Sequence, residues 1–459
     1  MKKKFFGTDG IRGVANVYPM TGEIIHGISR SAAKIMKERS KGKRFVFIGK
    51  DTRLSCDMLE TAIASGLMSQ GIHVYRLGVI PTPALAFLTR KRNALFGVMI
   101  SASHNPFYDN GIKFIGPDGF KLDDTLEIEI EKDFLQTDCR SNDIDDAITH
   151  RDIGRMYEKY SYRDDYIEHC IAPVEKFDFS DLKVLIDCAN GATSHIATEV
   201  FETLGMQYQI IDNNPTGDNI NNECGSTNMQ KIMKIVAEED FDCGIAFDGD
   251  GDRCLMVDEK GNLMDGDIMM AICYQHRVKT DPYFNKKLIA TVMSNMGLKE
   301  VVSKNNGSFL ETTVGDKYVL KSMIENDGLI GGEQSGHIIF LERNTTGDGI
   351  IAAIEMLKIR AEKKLPFSRL IEETGFRRYP QVLYNIKVRT KDGLWDIKAL
   401  KDAVKSFDDE FKDRGRILIR PSGTEPLVRV MAEALELDKA ENKLKEIMNI
   451  IESELGENR

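Results

Sequence analysis

Apolar residues recur along the chain with two alternating periods. Ile24, Ile25, Ile28, Ala32 and Ile35 repeat at the spacing of one helix face, and the run "RFVFIGK" that follows is short and β-rich. A second helical stretch over residues 56–70 precedes the β-type runs "HVYRL" and "LFGVMIS". The alternation restarts at "KVLIDCANG" (183–191), with a helix reaching Gly205, the strand "YQIID" and the apolar run that enters "FDGDGDR". It restarts again at "KLIATVMSNMG" (287–297) and passes through "FLETTVGD" to "GLIGGEQSGH" (328–337). Three rounds of strand and helix predict three related α/β domains with mixed sheets.

The last part of the chain has a different rhythm. The strand "QVLYNIKV" leads to a polar helix, two strands flank "RPSGTEP", and a closing helix carries Leu444, Ile447, Ile450 and Ile451 on one face. This order predicts a small α+β domain. Acidic, apolar-poor residues 138–151 and the segment 363–373 read as linkers. The expected division is therefore 1–150, 151–257, 258–370 and 371–459.

Composition narrows the class. A chain of 459 residues with 42% apolar content can bury several cores, and its mean hydropathy of -0.30 fits a water-soluble, multidomain protein. No apolar run approaches the roughly 20 residues that span a bilayer. Lys2, Lys3 and Lys4 lead into "FFGTD" rather than an apolar signal core, so the cytoplasm is the expected address. Eight scattered cysteines without a CxxC pair predict reduced thiols. A net charge of -10 opposes general binding to nucleic acid or to anionic membrane, so an anionic substrate would need local basic groups.

Five stretches carry candidate chemistry. In "FDGDGDR", Asp248, Asp250 and Asp252 alternate with glycines after an apolar strand, which lets three carboxylates converge on one hard cation. An EF-hand loop has similar acidic spacing, but its sixth position here is Arg253 where glycine is required, and both flanks read as strands. Three protein carboxylates with open positions for a phosphate oxygen suit Mg²⁺. "SASHNP" places Ser103 and His104 at the carboxyl end of a strand, where α/β sheets place ligands, although a proline-fixed turn explains the letters equally well. Lys113 in "NGIKF" is by itself an ordinary lysine. "RPSGTEPLVRV" supplies Arg420, Ser422, Gly423, Thr424 and Arg429 in a strand–turn–strand element, a composition suited to clasping phosphate. "GGEQSGH" brings Glu333, Ser335 and His337 into one flexible loop, and "FGTDGIRG" holds Arg12 between glycine turns.

In this order, "FGTDGIRG", "SASHNP", "DGDGDR", "GEQSGH" and "RPSGTEP" resemble the α-D-phosphohexomutase superfamily over essentially the whole chain. The start "FGTDGIRGVAN", Gln334 and "NTTGDG" (344–349) are most similar to those members that act on glucosamine phosphates. The resemblance implies four domains around a central cleft and a phosphorylated Ser103. It further implies one Mg²⁺ held by Asp248, Asp250, Asp252 and a phosphoserine oxygen. Arg12, His104, Lys113 and Arg253 would surround the transferring group, with Lys113 as general base, its pKa lowered by cations such as Arg12. Glu333 and Ser335 would hold sugar hydroxyls with His337 near the sugar, while Arg420, Ser422, Gly423, Thr424 and Arg429 would grip the phosphate that is not reacting. The implied reaction interconverts glucosamine 6-phosphate and glucosamine 1-phosphate through phospho-Ser103 and glucosamine 1,6-bisphosphate. The same mutase chemistry on mannose or glucose phosphates is the nearest alternative, and a Mg²⁺-dependent phosphohydrolase is a more distant one. A phosphorylated hexosamine is the expected partner, no nucleic acid or membrane is expected, and the resemblance leaves room for a homodimer.

Overall fold

A computed structural model describes residues 3–40, 42–136, 148–422 and 426–456. The chain divides into two compact units, Met1–Met293 with Val302–Thr374, and Ser294–Val301 with Gly375–Arg459. The first unit contains three sheets and the second contains one.

The first sheet has six strands in the spatial order Ile11–Val14, Asp109–Ile115, Gly97–Ile100, Phe45–Lys50, His73–Val79 and Met156–Glu158. Its inner strand Phe45–Lys50 runs parallel to both neighbours, whereas Asp109–Ile115 pairs antiparallel on both sides. All four residues of Gly97–Ile100 are buried, as a central strand covered on both faces requires. The helix Gly22–Arg39 turns Ile25, Ile28, Ala32 and Ile35 inward, so the 3.6-residue pattern in the sequence is its core face. The strand Met156–Glu158 lies beyond residue 150 and still joins this sheet.

In the second sheet, Lys183–Asp187 runs parallel to Gln207–Ile211 and to Cys243–Phe247, and Cys243–Phe247 turns back into Cys254–Val257 with Phe247 opposite Cys254. The acidic loop is therefore the tip of a β-hairpin, which excludes an EF-hand as the sequence reading expected. The third sheet pairs Lys287–Thr291 with Ser308–Thr312 and Ile330–Gly332 in parallel, and Ile338–Phe340 returns antiparallel. Glu333 to His337 form the turn of that return.

One linker expectation is corrected. Residues 363–373 include the helix Phe367–Thr374, which buries Phe367 and Leu370 and packs on the helix Gly266–Thr280. Its charged residues mask an apolar pair at i and i+3 that has a core to enter. Residues 137–147, which hold most of the other expected linker, lie outside the described residues.

The second unit is an antiparallel sheet in the order Gln381–Lys387, Leu427–Ala434, Gly415–Pro421, with the helices Lys398–Phe411 and Leu437–Leu455. Leu400, Phe407, Phe411, Leu444, Ile447 and Ile451 are buried in its core, and Ile450 sits at the margin. Cys56, Cys170, Cys188, Cys224, Cys243, Cys254 and Cys273 are buried free thiols. No described helix is long and apolar enough to cross a membrane.

Because Leu370 anchors a packed helix, Leu370→Ala is expected to cost about 2–5 kcal/mol in urea unfolding. A cost below about 0.5 kcal/mol, the usual range for surface positions, would restore the linker reading.

Candidate active site

The chain enters the site from the buried strand Gly97–Ile100. Three residues on, Ser103 takes a left-handed backbone with φ of 52°, a conformation non-glycine residues adopt at a cost of about 1–3 kcal/mol. Its surroundings enforce that shape. Ser103 N–H donates to Ser101 Oγ at 2.9 Å, and its carbonyl accepts from Arg53 and from Asn221, each at 2.9 Å. Arg53 also donates to the carbonyls of Asn105 at 2.9 Å, Asp109 at 3.1 Å and Pro106. The guanidinium is paired at 2.8 Å with Asp51, and both side chains are fully buried. Asp51 in turn accepts from Ser101 Oγ at 2.6 Å, so one buried ion pair holds both ends of the serine loop.

Ser103 Oγ donates to Asp248 Oδ2 at 2.6 Å across 145 residues of sequence. Asp248, Asp250 and Asp252 are buried, and each offers an oxygen within 4.8 Å of the others. Gly249 permits the contact between the two loops, because a Cβ there would lie 2.5 Å from the Ser103 carbonyl oxygen. Asp250 Oδ2 accepts from Thr82 Oγ1 at 2.6 Å and from Lys113 Nζ at 2.9 Å. Lys113 also stands 3.4 Å from Asp9 and 3.6 Å from Asp252. Burial and the neighbouring Asp252 and Asp250 push the Asp248 carboxyl well above the usual range, whereas Lys113 and Thr82 overcome burial to hold Asp250 below it. The oxygens Asp250 Oδ1 and Asp252 Oδ1 are buried without a hydrogen-bond partner. Carboxylate oxygens gathered and left without hydrogen bonds in this way fit a hard divalent cation.

A cavity of about 440 Å³ opens beside the cluster, lined among others by Arg12, Ser103, His104, Asp252, Arg253, Glu333 and His337. Of these, Arg12 Nε, Arg253 Nε, His104 Nδ1 and both His337 ring nitrogens are buried without hydrogen-bond partners. Guanidinium and imidazole groups of this kind, lining one cavity next to a hydroxyl, suit an anionic guest. Burial, with Arg253 and Arg12 nearby, lowers the His104 pKa to about 4, so the imidazole is neutral at pH 7.

Expected residues from the first unit thus meet at one place, with one correction. Lys113 does not have the lowered pKa that a base at neutral pH requires: burial favours loss of its proton, but Asp250, Asp9 and Asp252 together outweigh burial and the opposing push of Arg12. It is a buried countercharge to the aspartates. Gln334 faces away from the cavity and donates to Asp265 Oδ2 at 3.3 Å, beside the start of the helix Gly266–Thr280. Ser335 lies 3.5 Å from the Glu333 carboxylate, which itself accepts from Gly315 N–H at 3.0 Å and faces the cavity. His337 Nε2 is 4.0 Å from Asp252 and 3.8 Å from Asp316, closer to the acidic cluster than its loop position suggested. In "NTTGDG", Asp348 caps the helix Gly349–Lys363 and accepts from Tyr166 and Asn344 at 2.8 Å, which makes that motif a structural fastening.

In the second unit, Arg420 and Arg429 sit directly opposite each other on paired strands. Burial and the facing Arg429 lower the Arg420 pKa, as two cations held close together do. Ser422 is buried and closes the hairpin by donating its N–H to the Leu427 carbonyl at 2.8 Å. Gly423 and Thr424 lie outside the described residues.

Several participants escaped the sequence reading. Arg53, Asp51, Asn221 and Thr82 shape the serine and aspartate loops, and Asp9 contacts both Arg12 and Lys113. Asp9 does fall inside the glycine-rich "FGTDGIRG", whose density of turns was the available signal.

A strained serine on a carboxylate cluster, faced by arginines, defines an α/β enzyme that handles phosphate. Comparison with known proteins gives the family. Models of the phosphoglucomutase/phosphomannomutase α/β/α domains I, II and III match residues 3–140, 164–261 and 265–376, and the model of the C-terminal domain matches 383–450. The chain belongs to the phosphoglucomutase/phosphomannomutase family. It is 46% identical to the phosphoglucosamine mutase of Carboxydothermus hydrogenoformans, with 98% of this chain and 99% of the relative covered. It is 44% identical to the phosphoglucosamine mutase of Acetivibrio thermocellus, covering 99% of this chain and 100% of the relative. Among solved structures, a phosphoglucomutase/phosphomannomutase family protein from Burkholderia thailandensis shares the fold with a TM-score of 0.80 at 22% identity, covering 98% of this chain and 97% of that one. The Aspergillus fumigatus N-acetylphosphoglucosamine mutase, solved in complex with GlcNAc-6P and magnesium, matches with a TM-score of 0.66 at 17% identity, covering 98% and 96%.

Arg53→Met should lower the unfolding free energy by about 3–5 kcal/mol in urea titration, because Asp51 is left buried and unpaired. A loss under about 1 kcal/mol would mean that the serine loop is held by something else.

Proposed function

We propose that this chain is an isomerase that interconverts glucosamine 6-phosphate and glucosamine 1-phosphate through a phosphorylated Ser103. The observation that carries the proposal is the Ser103 hydroxyl, 2.6 Å from a buried aspartate cluster and inside a cavity faced by Arg12, Arg253 and His104. The glucosamine preference is supported by full-length relatives named phosphoglucosamine mutase at 41–46% identity.

In the first half-reaction the P–O bond of phospho-Ser103 breaks while a new P–O bond forms to the sugar O1, whose hydroxyl proton is released. The product is bound glucosamine 1,6-bisphosphate. After the intermediate turns over, its 6-phosphoryl group passes to Ser103, O6 takes up a proton, and glucosamine 1-phosphate leaves. Arg12 and Arg253 bear on the equatorial oxygens in both transfers, since phosphoryl transfer asks mainly for alignment and charge stabilisation. Mg²⁺ held by Asp248, Asp250, Asp252 and the phosphoserine would supply Lewis-acid charge to the moving group. Lys113 stands as a fixed countercharge to Asp250 and Asp252. Glu333, supported by Ser335, receives sugar hydroxyls, and His337 orders the cavity edge nearest Asp252. Arg420, Arg429, Ser422, Gly423 and Thr424 grip the phosphate that is not reacting. This reading divides the chain at 150, 257 and 370 into parts bearing the phosphoserine, the metal loop, the sugar loop and the clasp, and it places the work in the cytoplasm.

The test is ³¹P NMR with Mg²⁺ and a trace of the matching 1,6-bisphosphate, run in parallel on glucosamine, mannose and glucose 6-phosphates. Fastest appearance of glucosamine 1-phosphate without inorganic phosphate is expected. Faster conversion of mannose or glucose phosphate would change the substrate and keep the chemistry, and stoichiometric inorganic phosphate would make the protein a phosphohydrolase. EDTA should abolish turnover and added Mg²⁺ restore it, with Ser103→Ala inactive under both conditions.

The clasp has its own kinetic signature. Arg420→Ala and Arg429→Ala are each expected to raise KM for the sugar phosphate by roughly 10-fold or more, the loss of a charge-assisted hydrogen bond. An unchanged KM in both variants would remove the pair from substrate binding.

A further inference from the structure

The cavity's acidic wall has a keeper that stands outside the cavity. Lys121 Nζ pairs with both Asp9 and Asp316, which line the cavity, while Lys121 does not. The lysine is set in place by a tight turn: Gly116 N–H donates to the Phe120 carbonyl at 2.6 Å, and Lys121 bridges back to Ile115. Its side chain is 19% exposed and borders a neighbouring cavity of about 480 Å³ together with Phe120, Leu122 and Tyr318.

Asp9 is the shared node. It contacts Arg12, stands 3.4 Å from Lys113, and pairs with Lys121. An anionic guest competes with Asp9 for the Arg12 guanidinium, so any cation that satisfies Asp9 elsewhere strengthens binding of the guest. Burial disfavours the Lys121 charge, yet Asp316 and Asp9 outweigh it and keep the ammonium. Lys121 is thus a fixed positive charge whose two carboxylates both face the cavity.

We propose that Lys121 is a positioning residue: by neutralising Asp9 and Asp316 it leaves Arg12 available to phosphate, and so sets the anion affinity of a cavity it does not line. The identity of the natural anion rests on the mutase reading. The field argument does not.

The test is isothermal titration calorimetry of the full chain with inorganic phosphate and with glucosamine 6-phosphate. Lys121→Met should weaken phosphate binding about 10-fold, and Lys121→Arg should match the wild type. Asp316→Asn should tighten binding about 3-fold, the opposite sign, because it removes a negative charge. The double variant Lys121→Met, Asp316→Asn restores the charge balance and should return to within about 3-fold of wild type. Binding by Lys121→Met within about two-fold of wild type, or a double variant as weak as Lys121→Met alone, would overturn the proposal. If Lys121→Met fails to fold, the signs of Asp316→Asn and of the double variant decide the matter. Wild-type protein that binds phosphate without converting glucosamine 6-phosphate would sink the functional reading, and the phosphate series would still judge Lys121.

Discussion

The arrangement depends on one constraint, the crowding of Asp248, Asp250 and Asp252 into a buried loop where each has an oxygen within 4.8 Å of the others. Like charges this close and this dry are mutually destabilising unless cations or donors are fixed around them. Much of the surrounding structure meets that demand. Lys113 is brought in from the strand Asp109–Ile115, Thr82 donates from the start of another helix, and Ser103 donates its hydroxyl from the loop that Arg53 holds. The same gathering of carboxylate oxygens that makes the cluster costly to fold suits it to a hard cation.

Precision at Ser103 comes from burial rather than from rigidity of the loop itself. Its left-handed backbone is unfavourable for a serine, and it persists because its own carbonyl and those of Asn105, Pro106 and Asp109 after it are claimed by a guanidinium that water cannot reach. Asn221 adds a second claim from the neighbouring sheet's connecting loop, donating to the Ser103 and Asn105 carbonyls at 2.9 and 3.0 Å. Ser103 is thereby held at two points, its hydroxyl against Asp248 and its carbonyl by Arg53 and Asn221.

The strands of the three α/β rounds were legible because each is a continuous apolar run ended by glycine, proline or a charged cluster, and such runs have few other places to go. The acidic loop was legible because alternating aspartate and glycine is a spacing that ordinary turns do not need. Arg53, Lys121 and Asp316 were not, since each is a single charged residue with a contact 50 to 195 residues away along the chain. In the turn between the antiparallel strands Ile330–Gly332 and Ile338–Phe340, Glu333 and His337 line the cavity while Gln334 bonds to Asp265, a division that the letters of the loop do not show. The helix Phe367–Thr374 was hidden by composition, because Arg369, Glu372 and Glu373 dominate the segment although Phe367 and Leu370 are the residues that pack. The Lys113 pKa was misjudged because only its cationic neighbours were weighed, and three carboxylates stand closer.

A net charge of -10 and affinity for a sugar phosphate are compatible because the two act over different ranges. At physiological ionic strength the field of distant surface carboxylates is screened within about 8 Å, so it bears little on a guest inside the cavity. There the local balance decides: Arg12, Arg253 and Lys113 against Asp9, Asp252, Asp316 and the remaining aspartates. That balance is close, since Arg12 is already engaged by Asp9 and Lys113 by Asp250. A site poised in this way has a functional logic. On the proposed reaction, arginines committed too strongly to phosphate would trap the bisphosphate intermediate, while carboxylates left unanswered would exclude it. Partial engagement of each cation by a protein carboxylate keeps either outcome from winning.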